Sequence, residues 1–128
     1  MRVVSRLLVH GVAAVVVAAA VVQAQAPNGA PVAAAASRGD LAAVRELIKQ
    51  GADAGAAQGD GMTALHWAAS RGDAAMVEML TRAGANVGAG TRIGHYQPIH
   101  LASRNGSAAT VRALLKADAH RHERRHGL

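Results

Sequence analysis

Apolar positions along the chain fall into two regimes. Residues 12–22 form one uninterrupted apolar run of eleven residues, preceded by Arg2 and Arg6. Beyond it the apolar residues break into short stripes separated by Gly. Over 41–50, Val44, Leu47 and Ile48 share one face at helical spacing. Met76, Val77, Met79 and Leu80 form a second such stripe, and Val111, Leu114 and Leu115 a third. Another helical segment precedes each stripe, at 31–38, from Ala64 and from Pro98. Pro31 and Pro98 suit a first helical turn, where the missing N–H would have no partner anyway. Gly39, Gly72 and Gly106 then turn the chain between the helices of a pair, and Gly51 sits where a left-handed C-cap is wanted. The pattern predicts paired helices and no strands.

The pairs repeat one another. Ala36–Ser37–Arg38–Gly39–Asp40 returns as Ala69–Ser70–Arg71–Gly72–Asp73, 33 positions on from Ser37 to Ser70. Leu65–His66–Trp67–Ala68–Ala69 returns as Ile99–His100–Leu101–Ala102–Ser103, 34 positions on from His66 to His100. Gly51–Ala52–Asp53 returns in register as Gly84–Ala85–Asn86. A self-match of this period means stacked helix pairs, in which each pair buries its stripe only against its neighbours. Thr63–Ala64–Leu65–His66–Trp67–Ala68 is similar to the T-P-L-H-x-A signature, so the chain resembles the ankyrin-repeat family. The resemblance implies an all-α solenoid of helix–turn–helix pairs joined by hairpin loops. Its signature positions here are Thr63, Leu65, His66, Ala68, Ala69, Gly72, His100 and Gly106.

The repeats are unequal. The expected boundaries are a linker at 25–30 and repeats at about 31–60, 61–94 and 95–118. The first lacks the Thr and His, with Ala30 and Ala33 in their places, as suits a repeat that caps the stack. In the second, Thr63 caps the first helix through its hydroxyl and Ala64 replaces the usual Pro. The third has a loop one residue longer and Gln97 in place of the Thr. After Lys116 the pattern fails: Asp118 takes the Gly slot, and 119–128 is a basic, His-rich tail. The last repeat therefore reads as truncated, and three repeats supply only two interfaces. Small cores rarely exceed about 3–5 kcal/mol, so marginal stability and fraying at the C-terminal helix are expected.

Charge and composition alter this picture in one respect. The positive start, the apolar run and Val22–Gln23–Ala24 read as a secretory signal over 1–24, cleaved before Gln25. A membrane span needs roughly 18–20 apolar residues, and His10 with Gly11 interrupts the run too early. Cleavage would leave twelve Lys and Arg against eight acids, and Arg121, Arg124 and Arg125 crowd the last eight residues. The high isoelectric point is thus mainly a property of the two ends and argues for no nucleic-acid groove. Cys is absent, which excludes a disulfide framework and thiolate metal sites. The expected location is the bacterial periplasm or the extracellular space.

Few residues read as chemistry. His66 is either a metal ligand or general base, or a structural imidazole bonded to Thr63 and a neighbouring backbone, as the resemblance implies. The second reading is preferred, because no carboxylate or second His lies at ligand spacing. Trp67 reads as packing between repeats before it reads as a partner anchor. The two Arg-Gly-Asp triplets recur at the repeat period and read as turns rather than adhesion signals. Asn105–Gly106–Ser107 is formally a glycosylation sequon inside the same turn. Gly88, Gly90 and Gly94 miss the dinucleotide fingerprint by one residue and read as a permissive loop. His120, His122, His126 and Glu123 lack a fixed frame for a metal and sit among Arg neighbours. No nucleophile–base pair stands out, so neither catalysis nor a cofactor is expected.

The resemblance implies a protein partner across the loop tips and the exposed face of each first helix. Carried position by position, that surface holds Gly59, Asp60, Met62, Ser70 and Arg71, then Arg92, Ile93, Tyr96, Arg104 and Asn105. Tyr96 and the Arg residues are the expected hot spots. The function expected is therefore an exported interaction module. The alternatives are a membrane-tethered scaffold with the leader retained, and a fragment of a longer repeat protein.

Overall fold

The computed structural model describes residues 29–127. The proposed leader and most of the linker lie outside these residues. Six helices follow in order: α1 Pro31–Ser37, α2 Leu41–Lys49, α3 Ala64–Arg71, α4 Ala74–Arg82, α5 Pro98–Asn105 and α6 Ala108–Arg125. No strand occurs among the described residues, and none of their helices is long and apolar enough to cross a membrane. The first helices α1, α3 and α5 pack side by side in a row, and α2, α4 and α6 each back their own partner.

Side-chain size explains the row. Ala35, Ala36, Ala68, Ala69 and Ala102 are all fully buried, so the first helices approach closely without bulky residues between them. The larger apolar side chains fill the space behind. Leu65, Met76, Leu80, Leu114, Val32, Val44 and Val77 are the bulk of the buried core. An Ala- and Val-rich composition without Phe is what this close packing needs.

Each helix start has a local cause. The Asp40 and Asp73 carboxylates accept the Ala43 and Met76 amides at 3.0 Å, capping α2 and α4. Ser107 accepts from Thr110 at the start of α6, at 3.4 Å. The Asp of both Arg-Gly-Asp triplets is thus occupied as a helix cap. The corresponding Arg71 reaches back a repeat, its guanidinium donating to the Ser37 carbonyl at 3.1 Å and lying across Gly39. Asn105 lies across Gly72 in the same way.

The C-terminal end departs from expectation. Gly84, at φ +92°, turns the chain after α4. Asp118 occupies the matching slot, and Asp enters that left-handed conformation less readily than Gly. The chain therefore does not turn, and α6 runs on to Arg125. The boundary expected at 118 falls inside a helix, and most of the segment read as a tail is its last two turns. Arg121 ties those turns down, donating to Asp118 at 2.6 Å and to Asn86 of the preceding hairpin at 3.3 Å.

Candidate partner-binding surface

The loop joining the second and third repeats is built around a buried imidazole. His66 is fully buried in α3. The Thr63 amide donates to its Nδ1 at 3.1 Å, and the Thr63 hydroxyl lies 2.8 Å from the same nitrogen. With Nδ1 accepting, the ring proton sits on Nε2, which donates to the Tyr96 carbonyl at 2.8 Å. One side chain thus fixes its own helix start and the loop of the next repeat. Burial pushes the His66 pKa below the ordinary imidazole value, while hydrogen bonds to the Tyr96 and Ala89 backbone and the Asp60 charge oppose that shift. No free nitrogen is left for a metal or a proton transfer.

Thr91 completes the loop, a role that the hydrophobic pattern did not reveal. It is buried, and its hydroxyl donates to the Ile93 carbonyl at 2.8 Å while accepting the Tyr96 amide at 3.0 Å. Its amide donates to the Tyr96 carbonyl at 3.1 Å. The Arg92 amide crosses to the Asp60 carbonyl of the previous loop at 3.0 Å. A Thr inside a Gly-rich loop is a turn-forming signal, and that was the available clue. The position after Gly94 is also unusual. His95 has φ +51°, where Gly61 stands one repeat earlier at φ +84°. Its ring lies against Gly90, where a Cβ would come within 2.8 Å of it.

This frame presents apolar side chains to solvent. Ile93 is 88% exposed and Tyr96 46%, with Arg92 exposed beside them. The Tyr96 ring meets the His100 ring edge-on at 6.4 Å between centroids. Asp60 is exposed, but its carboxylate accepts the Met62 amide at 2.9 Å, and Met62 is half-buried. Ser70, Arg71, Arg104 and Asn105 are exposed at the ends of α3 and α5. Of these, Arg71 and Asn105 also contact the preceding repeat, as described above. The expected surface residues therefore divide in two. Asp60, Met62, Arg71 and Asn105 carry structural contacts, while Arg92, Ile93, Tyr96, Ser70 and Arg104 are presented outward.

The other candidates take structural places. Trp67 is half-buried, its indole N–H donating at 2.9 Å to Gln58 in the loop that precedes α3. His100 accepts the Gln97 amide at 2.9 Å and is otherwise exposed. Gly106 ends α5. On α6, His120 faces Glu123 at 3.5 Å and His122 faces Asp118 at 3.6 Å. Among the described residues no three His, Asp or Glu side chains gather in a metal-binding group. Charge is unevenly spread: residues 29–91 hold five Lys and Arg against six acids, whereas 92–127 hold seven against two.

Stacked helix pairs with a 33–34-residue period, an imidazole bridging successive repeats and hairpin loops along one edge define the architecture. No curated protein matches the chain at a significant level. A family profile described as ankyrin repeats, in three copies, matches residues 3–124. The chain belongs to the ankyrin-repeat family, whose repeats serve as protein–protein interaction modules.

Proposed function

We propose that this chain is an exported ankyrin-repeat module that docks a protein partner on its loop tips and first-helix face, without catalysis or a cofactor. The observation that carries this reading is the loop around Tyr96. Hydrogen bonds from His66 and Thr91 hold its backbone while Ile93 and Tyr96 face solvent. An apolar anchor held rigidly in advance loses little entropy when a partner closes on it. Arg92 supplies a charged donor beside them and Arg104 another at the far end of α5, and aromatic and Arg side chains dominate such energetics.

The supporting experiment is crosslinking in the source cells, comparing the natural chain with an Ile93→Ser/Tyr96→Ser variant. The expected result is a discrete crosslinked species that the variant lacks although it folds normally. The same species at full yield from the variant would place the partner elsewhere. Export rests on the n-region and apolar run of the first 24 residues and on the Val22–Gln23–Ala24 site. N-terminal sequencing of protein recovered from periplasm or medium should begin at Gln25. A chain retained in the cytoplasm with its first residues intact would contradict export.

A further inference from the structure

The continuation of α6 past Asp118 creates a feature that the other repeats lack. Where α4 has already turned at Gly84, α6 runs on beside it and leaves an open trough. Cavities of about 450, 270 and 230 Å³ line up along this seam, and all three share Thr81 and Ala117. The floor is made of small residues, and the cations Arg82, Lys116 and Arg124 stand in the walls. We infer that this trough docks an extended acidic segment of a protein partner, with carboxylates four residues apart. The inference rests on the reading of the chain as a protein-binding module, but it concerns a second surface, away from the Tyr96 loop.

Spacing and charge select this occupant. Lys116 and Arg124 lie eight residues apart on one helix, about 12 Å along its axis. Residues four apart in an extended strand are separated by about 13 Å, with their side chains on one face. The basic character of residues 92–127 opposes the symmetric pairing of two copies through this site. Single-stranded nucleic acid would want aromatic stacking platforms, and the trough lining contains no aromatic ring other than His120. Two carboxylates stand in the walls. Glu78 lies 3.8 Å from Arg82, and Glu123 lies 3.5 Å from His120. An arriving carboxylate would compete with Glu78 for Arg82, and Glu123 would repel it.

The test is fluorescence anisotropy with the full chain at physiological ionic strength. The probe is a short labelled Ser-based peptide with three Glu, one at every fourth position, set against a block peptide of the same composition with its three Glu adjacent, and against oligothymidylate. Arg82→Ala/Arg124→Ala should weaken the spaced peptide by about tenfold or more, and Glu123→Gln should tighten it about two- to fivefold. Tyr96→Ser should leave it unchanged. Circular dichroism on each variant checks that these exposed substitutions leave the fold intact. Equal binding of the block peptide or of oligothymidylate, or no loss in the double variant, would overturn the inference. So would the absence of any peptide binding. Loss in Tyr96→Ser alone would remove the trough while supporting the loop-edge reading, and a failed crosslink at the loop edge with intact trough binding would do the reverse.

Discussion

The His66 imidazole takes one hydrogen bond from the Thr63 amide and gives one to the Tyr96 carbonyl. Protonating Nδ1 would set two donors against each other, and burial already disfavours the charged ring. The unfolded chain, with an ordinary imidazole near pKa ~6.5, then binds a proton before the folded one does. His66 therefore contributes fully to stability above that pH, and the contribution is lost as pH falls towards the lowered folded value. Thermal midpoints between pH 7.5 and pH 5 should drop more steeply for the natural chain than for His66→Gln. Parallel slopes would show that other groups set the acid sensitivity. A second residue-scale prediction concerns Gly61. A Cβ there would come within 2.7 Å of the Arg92 amide nitrogen at φ +84°. Gly61→Ala should destabilise by about 1–3 kcal/mol, measured by denaturant titration. An unchanged midpoint would mean that the loop gives way.

Among the elements, α6 is the one that runs past the turn its counterpart α4 makes at Gly84. Restoring the Gly, as Asp118→Gly, introduces a residue that costs about 1 kcal/mol in a helix interior and removes the Arg121 contact. The helix should then fray or end before Asp118, exposing the amides of 119–125 to fast hydrogen exchange. Continued protection of those amides would show that the Arg121–Asn86 contact holds the turns without Asp118. At the other helix ends the caps are local. Asp73→Ala should cost about 0.5–2 kcal/mol, read from urea unfolding, because the Met76 amide loses its acceptor. A loss below that range would mean that water replaces the cap.

For the molecule as a whole, stability is a sum over neighbouring repeats. The second repeat is the one that packs on both sides, with Ala64, Leu65, Ala68, Ala69, Met76, Val77 and Leu80 all fully buried. Leu65→Ala should therefore cost about 2–5 kcal/mol, enough to unfold a small repeat stack at room temperature. The third repeat is more open: His100 and Ser103 are exposed where His66 and Ala69 are buried. Leu115→Ala should cost far less than Leu65→Ala, because Leu115 is already 53% exposed. Equal losses would mean that the outer face is covered in solution.

The repeat period, the helix pairs and their turns were legible in the sequence because they depend on local facts. Apolar spacing, Pro at a first turn, Asp or Thr at a cap and Gly where the backbone must turn each act within a few residues. Thr63 and His66 lie three positions apart, and the family resemblance implied their bond. Contacts between repeats were not. That Arg71 reaches Ser37, that His66 holds the Tyr96 carbonyl and that Arg121 reaches Asn86 depend on which side chains the stack brings together across some thirty positions. The tail shows the difference most clearly. Its composition read as a basic tail, yet α6 continues to Arg125, and packing beside α4 gives that continuation a neighbour and a trough. Local rules determined the units of this protein; the stacking of those units decided which surfaces they present.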